Sequence, residues 1–350
     1  MSPKVRGKAA RVLQLLALLS VVAMALVAGV VEQRWRAPLL LPEQGMVLLV
    51  QSGDSLRSVA SRLHDKGVLA HPELLVAWAR FHGLDARIRR GEYRLAPGLN
   101  ARSLLELLVS GQVIQYQVTL PEGIALGRAL EILQAESALE QVLSGVDDSR
   151  LLQLVAPREA PEGLFLPESY RFERGASDLD ILGRAHQALL NALGSEWERR
   201  APDLPYANPY EALIMASIIE RETGVPEERE EIAGVFVRRL RLGMRLQTDP
   251  TIIYGLGEAF DGNLRRQHLR DIGNLYNTYR HDGLPPTPIA LPGRAAIHAA
   301  LQPAAGDALY FVARGDGTHE FNATLEGHER AVRKYQLKRR QDYRSTPGTQ

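Results

Sequence analysis

Glu220 is the residue whose position best suits acid–base chemistry. It follows the apolar run of EALIMASIIERETG, which predicts a mostly buried helix. Helical spacing sets the small residues Ala216 and Ser217 beside it, which leaves room for a ligand, and partial burial would raise its pKa as a general acid needs. Glu222 points away on a helix and is not expected to share this task. From this segment alone, a structural carboxylate paired with Arg221 or another arginine remains the alternative.

A second polar cluster lies in the segment RLRLGMRLQTDPTIIYGLG. Gln247, Thr248 and Asp249 immediately precede Pro250, so we expect extended or turn geometry there. An amide, a hydroxyl and a carboxylate in succession suit the edge of a sugar-binding groove. This cluster favours a catalytic interpretation of Glu220.

A third cluster occupies residues 274–293, which are rich first in Tyr, Asn and Thr and then in Pro. Tyr276 and Tyr279 can stack on sugar rings, while Asn277 and Thr278 can hydrogen-bond hydroxyl or acetamide groups. The segment is too irregular for a long helix. A plain surface loop is the alternative, although long loops in compact domains are usually functional.

The elements that must position these clusters form a predicted domain over residues 113–342. The hydrophobic patterns predict a strand, several helices, a hairpin with Gly at its turn and a final polar helix. Their predicted ranges are a strand at 113–120, helices from 125, at 179–199 and from 209, a hairpin at 309–313 and 319–322, and a helix at 325–342. Residues 343–350 are predicted to be disordered.

A smaller domain is predicted over residues 46–112. A strand at 46–51, a helix capped by Asp54 or Ser55, a helix from Pro72 and a strand at 91–95 follow in order, and a third helical stretch covers 103–108. Leu74, Leu75, Trp78 and Phe81 are expected on one side of the second helix. The order β-α-α-β and the stretch GDSLRSVASRL resemble a LysM-type module, which implies contact with N-acetylglucosamine chains. A packing domain without sugar affinity is the alternative.

The N-terminus predicts a membrane anchor. Residues 1–11 carry basic side chains and no acid, and residues 12–31 are almost wholly apolar and long enough to cross about 30 Å of hydrocarbon. The basic flank should stay in the cytoplasm, which places everything after a linker at 32–45 outside the inner membrane. A cleaved signal peptide is the alternative, but its apolar core would be shorter.

Composition excludes several classes of protein. A net charge of +1 gives no case for a nucleic-acid partner. The absence of cysteine excludes disulfides and thiol catalysis. The nine histidines show no H-E-x-x-H spacing, so no metal or other cofactor is expected.

The chain resembles the endolytic murein transglycosylases, the YceG-like family. Six segments carry the resemblance, in order, over Val47 to Gln336: TLPEG, EGLFLPESYRF, ASIIERETG, RLRLGMRLQTDPTIIYGLG, YNTYRHDGLPPTPIALPG and LYFVARGDGTHEFN. The chain departs from the expected pattern at Arg280 and His281, and no role is assigned to them. With the element order, the resemblance implies an α+β protein: one transmembrane helix, a LysM-like module and a larger mixed catalytic domain.

The resemblance also implies an activity and a site. Members cut nascent peptidoglycan strands between N-acetylmuramic acid and N-acetylglucosamine, leave 1,6-anhydro-muramyl ends, and so terminate glycan elongation. The family's catalytic glutamate corresponds to Glu220. Positions of the family's groove correspond to Gln247, Thr248, Asp249, Tyr254, Tyr276, Asn277, Thr278 and Asn322. Shared membrane location makes peptidoglycan synthases the expected protein partners.

One carboxylate suffices for such a lyase. Glu220 would protonate the leaving oxygen and then deprotonate the muramyl C6 hydroxyl, which attacks C1 of the same residue. Asp249 is expected to bind substrate, with charge stabilisation as a second role. Two rival hypotheses are a lysozyme-like muramidase, which uses water, and a non-enzymatic membrane-anchored scaffold that binds peptidoglycan.

Overall fold

The computed structural model describes residues 3–336, which form a mixed α+β chain with two compact units. The first unit runs to Tyr116 and includes residues 173–175, and the second contains the other described residues. The predicted α+β class is confirmed. The first unit ends close to the domain boundary predicted at residue 113, and the tail predicted at 343–350 lies outside the described residues.

The first unit has the predicted order of elements. Leu48 of one strand lies opposite Tyr93 of the other in an antiparallel pair, and both side chains are buried. Ser55, one of the two predicted caps, accepts a hydrogen bond from the Ser58 N–H at 3.1 Å. The elements are α1 (Pro3–Arg36), β1 (Met46–Val50), α2 (Leu56–Asp65), α3 (Pro72–Phe81), β2 (Gly91–Leu95) and α4 (Ala101–Ser110).

The rest of the described chain is mostly helical, with two small sheets: β3 pairs with β4, and β5 with β6. The predicted hairpin is confirmed, since β5 and β6 are antiparallel with Tyr310 opposite Asn322. The elements are β3 (Gln115–Thr119), α5 (Leu126–Gln134), α6 (Ser149–Val155), β4 (Ser169–Glu173), α7 (Asp178–Glu198), α8 (Pro209–Glu222), α9 (Arg229–Arg241), α10 (Asp249–Leu256), α11 (Arg266–Arg270), α12 (Arg294–Leu301), β5 (Tyr310–Ala313), β6 (His319–Asn322) and α13 (Leu325–Tyr335).

Helix α8 is the central helix of the second unit. It packs against α7, α9, α10 and α12, and its residues 212–219 are buried. Asn208 caps it by accepting hydrogen bonds from the N–H groups of Tyr210 and Glu211, and Pro209 fits the first turn because its nitrogen needs no partner there. A helix buried on all sides is rigid, so the glutamates at its C-terminal end have fixed positions.

Helix α1 contains the predicted apolar segment. The stretch Gln14–Arg36 is long and apolar enough to cross a membrane, and its most apolar window of 18 residues is not buried. It extends five residues beyond the end predicted at Val31. Length and composition make it a candidate anchor.

One expectation about local structure was wrong. Asp249 begins α10 instead of lying in an extended segment, because Pro250 in the first helical turn gives up no backbone hydrogen bond. On α3, 86% of the surface of Phe81 is exposed, whereas Leu75 is fully buried.

Candidate active site

Glu220 lies near the C-terminal end of α8 with its side chain 5% exposed. Its Oε2 accepts a hydrogen bond from the Gly293 N–H at 2.9 Å, and its Oε1 lies 3.7 Å from Nη2 of Arg229. The same guanidinium nitrogen lies 3.9 Å from the Glu122 carboxylate. Arg221, the partner considered from sequence, donates instead to the Gly123 carbonyl at 2.9 Å.

Burial raises the pKa of the Glu220 carboxyl above its ordinary value, and the Glu122 carboxylate raises it further. The Gly293 N–H stabilises the ionised form, as do the positive charges of Arg229 and Arg221. Burial and the Glu122 charge outweigh these stabilising contacts, so the net result is a raised pKa for Glu220. The proton is therefore held more tightly than by a solvated glutamate, while the groups that accept the resulting negative charge are already in place.

Two loops hold this arrangement together. The Gly123 N–H donates to the Leu291 carbonyl at 2.9 Å, and the Leu291 N–H donates to the Ile124 carbonyl at 2.8 Å. The second loop is also tied to α8, because the buried Ser217 hydroxyl accepts a hydrogen bond from the Ile289 N–H at 3.0 Å. The small residue predicted to leave space near Glu220 therefore positions the loop that contacts it.

Gly293 is a tight contact point between these loops. A Cβ atom there would overlap the Glu122 carboxyl group. Glycine at this position therefore leaves room for the Glu122 carboxyl group beside the backbone N–H that donates to Glu220.

Glu222 has a separate environment, as predicted. It is hydrogen-bonded by the Thr248 hydroxyl, and burial raises the pKa of its carboxyl to about 7. It lines a cavity of about 650 Å³, whereas Glu220 is not among the lining residues that the structure describes. Polar and aromatic residues of this lining include Glu222, Arg239, Gln247, Thr248, Asp249, Tyr279, Tyr310 and His319.

Gln247, Thr248 and Asp249 all line this cavity, as expected of groove residues. Gln247 and Asp249 are exposed, and the backbone of Gln247 has a φ of 53°, a left-handed conformation that is costly for a residue with a side chain. Asp249 accepts a hydrogen bond from the Tyr279 hydroxyl at 2.8 Å. Asp249 and Tyr279 therefore form one polar edge of the cavity.

Asn277 and Thr278 are buried, so the structure gives them a supporting position. The Asn277 amide donates to the Asp271 carbonyl at 2.7 Å, and its oxygen accepts from the Tyr279 N–H at 3.1 Å. The Thr278 hydroxyl accepts a hydrogen bond from the Thr248 N–H at 3.1 Å. Both residues hold the loop that presents Tyr279, and direct contact with sugar stays a prediction for them.

Tyr254 and Tyr276 form a different group. Their rings meet edge to face with centroids 4.8 Å apart, and the Tyr254 hydroxyl donates to Glu162 at 3.3 Å. Burial raises the pKa of the Glu162 carboxyl to about 7. The Tyr276 hydroxyl is 2.8 Å from that of Thr287. Neither tyrosine lines the Glu222 cavity.

Asn322 lies on β6, where its amide donates to the Glu320 carbonyl at 3.4 Å. It is partly buried and is not among the described residues that line the cavity. A role in sugar binding stays a prediction for this residue.

Sequence reasoning missed several partners of the two helix-end glutamates. Glu122 and Gly293 belong to TLPEG and IALPG, which were noted only as family segments, and Arg229 was not singled out. The available signal was that a glycine or a carboxylate stood inside a segment that matches the family. It did not indicate that the first two segments meet at Glu220, because contacts between residues far apart in sequence are set by tertiary packing.

The chain matches the YceG-like family over residues 48–334. It is 29% identical over 305 residues to the endolytic murein transglycosylase of Bacillus subtilis, covering 82% of this chain and 83% of that protein. It is 25% identical over 319 residues to the endolytic murein transglycosylase of Streptococcus pneumoniae, and this match spans 57% of the pneumococcal protein.

A solved structure agrees with these matches. The crystal structure of a yceG-like protein from Listeria monocytogenes superimposes with a TM-score of 0.52 at 25% identity, covering 83% of this chain and 99% of that one. The fold and the buried glutamate at the end of α8 define a chain with a candidate acid–base site. This chain belongs to the YceG-like family, as the resemblance indicated.

Proposed function

We propose that this chain is an endolytic peptidoglycan lytic transglycosylase. The observation that supports this proposal most directly is the environment of Glu220. Its carboxyl group is 5% exposed and has a raised pKa, and one backbone N–H and one guanidinium lie beside it. Such a group holds its proton more tightly than a solvated glutamate, can donate it as a general acid, and has groups beside it that stabilise the resulting anion. The family match and the names of the curated relatives support murein as the substrate.

The proposed reaction breaks the β-1,4 bond between N-acetylmuramic acid and N-acetylglucosamine. The protonated Glu220 gives its proton to the glycosidic oxygen as the C1–O bond breaks, and the N-acetylglucosamine side leaves as an alcohol. The Glu220 carboxylate then takes the proton of the muramyl C6 hydroxyl, whose oxygen attacks C1 to close the 1,6-anhydro ring. Glu220 ends protonated, and water is not consumed.

We propose that the Glu222 cavity binds the part of the glycan strand adjacent to the bond that is cleaved at Glu220. Gln247, Asp249 and Tyr279 offer amide, carboxylate and aromatic groups along its lining, which suits sugar hydroxyls and ring faces. Asp249 is a binding residue in this proposal, because it lines the cavity together with Glu222 and not with Glu220.

Product analysis tests the reaction. Mass spectrometry of peptidoglycan digested by the purified protein should show anhydro-muramyl ends. Reducing muramyl ends, heavier by one water molecule, would instead establish the muramidase alternative. If wild type and Glu220→Gln release equally few fragments while both bind peptidoglycan, the non-enzymatic scaffold is correct.

We also propose a place for the protein in the cell. Helix α1 anchors it in the inner membrane with the N-terminus in the cytoplasm, so that the LysM-like module of residues 46–112 and the catalytic domain of residues 113–342 lie outside. The apolar stretch Gln14–Arg36 and the basic residues before it support this orientation. Nascent glycan strands and peptidoglycan synthases are the expected partners. Cysteine accessibility on either side of the membrane tests the orientation.

A further inference from the structure

Four aromatic rings form a continuous row in the first unit. The ring of Trp35, at the end of α1, lies 5.0 Å from that of Trp78 on α3, measured between centroids. Trp78 lies 4.3 Å from His82, and His82 lies 5.1 Å from Phe81. The exposure rises along the row: Trp35 is 4% exposed, Trp78 40% and Phe81 86%.

The proposed anchor fixes the depth at which this row lies. The 23 residues of Gln14–Arg36 measure about 34 Å as a helix, slightly more than the roughly 30 Å of hydrocarbon in a bilayer. Trp35 therefore lies at or just beyond the hydrocarbon boundary. Because the ring of Trp78 is 5.0 Å away, its depth differs from that of Trp35 by no more than this distance. The headgroup zone on each side is about 5–8 Å thick, so Trp78 falls within or next to it.

The residue types around the row match this zone. Tryptophan is enriched at the boundary between lipid and water, where the ring is apolar and the N–H is polar. Leu40, four residues after the end of α1, is 71% exposed. Arg36 and Arg80 lie next to the row in sequence, and each is paired with an acid, Glu32 at 2.6 Å and Asp85 at 3.5 Å, so they add little net positive charge. Exposed apolar and aromatic groups next to the hydrocarbon boundary favour contact with the headgroup layer.

We infer that the exposed edge formed by Trp78 and Phe81, together with Leu40, is a membrane-docking surface that rests in the outer headgroup layer of the bilayer spanned by α1. This inference depends on the proposed membrane anchor and is independent of the catalytic chemistry. It explains why α3 ends in a phenylalanine that packs against nothing in the core of its own unit. The first unit is thereby held at the membrane instead of moving freely on a linker.

The absence of cysteine from the sequence allows a direct test. The full chain, with one cysteine introduced and spin-labelled, is reconstituted in nanodiscs of phosphatidylethanolamine and phosphatidylglycerol. Electron paramagnetic resonance then measures the accessibility of the label to oxygen, which partitions into lipid, and to a polar nickel complex, which stays in water. Phe81→Cys reports on the docking surface, and Leu26→Cys reports on insertion of α1. Val47→Cys, an exposed apolar position on β1 of the same unit, is the matched control.

We expect a label at position 26 to be accessible mainly to oxygen, as in the hydrocarbon interior. A label at position 81 should show the intermediate accessibility of the interface, and a label at position 47 should be accessible mainly to the nickel complex, as in water. If 26 is inside the bilayer but 81 is as aqueous as 47, the docking surface is overturned while the anchor stands. If 26 is aqueous, the anchor fails and the docking inference fails with it. If the labels at positions 81 and 47 both show the accessibility of the interface, membrane contact is not specific to the aromatic row, and the proposed docking surface is wrong. None of these outcomes changes the product analysis that tests the lyase activity.

Discussion

Glu220 and Glu222 lie two residues apart on α8, yet they occupy different chemical environments. Glu220 contacts the N–H of Gly293 and the guanidinium of Arg229, between two loops. Glu222 contacts the hydroxyl of Thr248 and lines the cavity. Burial raises the pKa of both carboxyl groups. The comparison shows that a perturbed pKa by itself does not identify a catalytic acid, because groups that stabilise the anion surround both carboxyls. They are Gly293, Arg229 and Arg221 at Glu220, and Thr248, Arg221 and Arg239 at Glu222.

The largest expected effect separates the two residues. Glu220→Gln should lower kcat by roughly 10²–10⁴-fold, because the amide can neither give nor take the proton. Glu222→Gln should keep kcat within roughly tenfold, because a neutral amide resembles the protonated acid that burial favours. Turnover of lipid-linked glycan strands, with circular dichroism to verify folding, measures both. The reverse order of effects would move the acid–base role to Glu222.

The second effect concerns stability and arises from Glu222. Its folded pKa of about 7 lies above the ordinary 4.5, so the folded state holds the proton more tightly than the unfolded state. This stabilisation is fully present below pH 4.5 and is lost as the pH rises through 7, by about 3 kcal/mol in total. In urea unfolding between pH 4.5 and 8.5, Glu222→Gln should therefore lose less stability than wild type. Glu326→Gln, at a highly exposed acid, controls for the removal of one charge. Parallel curves for all three proteins would contradict the pKa assigned to Glu222.

The third effect tests whether the cavity at Glu222 is the glycan groove. Asp249→Asn should raise KM by roughly fivefold to tenfold with little change in kcat, since a charge-assisted hydrogen bond to substrate is weakened. Asn322→Ala should change KM by less than about twofold, because Asn322 does not line this cavity. Equal effects of the two substitutions would mean that the strand follows another path.

The smallest expected effect is a pair of opposite shifts in the pH profile of kcat/KM. Glu122→Gln removes a negative charge near Glu220, which lowers the pKa of Glu220 and moves the alkaline limb to lower pH. Arg229→Gln removes a positive charge 3.7 Å from Glu220 and should move the same limb to higher pH. Shifts in the same direction would show that the limb reports another group.

Much of the fold follows from local sequence patterns. The apolar run of α8, the Asn-Pro start of that helix and the Gly-containing turn between β5 and β6 each depend on residues close together in the chain. The polar cluster around Asp249 was predicted to line a groove, and it lines a cavity. Its backbone was predicted wrongly, because the residue before a proline is only biased away from a helix and a first helical turn tolerates proline.

The sequence by itself determined the family, the buried helix and the candidacy of Glu220, because these are recorded in residue types and short spacings. Only the tertiary structure decided which groups surround that carboxyl. Glu122, Arg229 and Gly293 come from three separate segments, and their approach to Glu220 depends on how two loops hydrogen-bond to each other and to α8. Burial of Asn277 and exposure of Phe81 were decided in the same way. No pattern along the chain specifies them, because burial is a property of the packed structure.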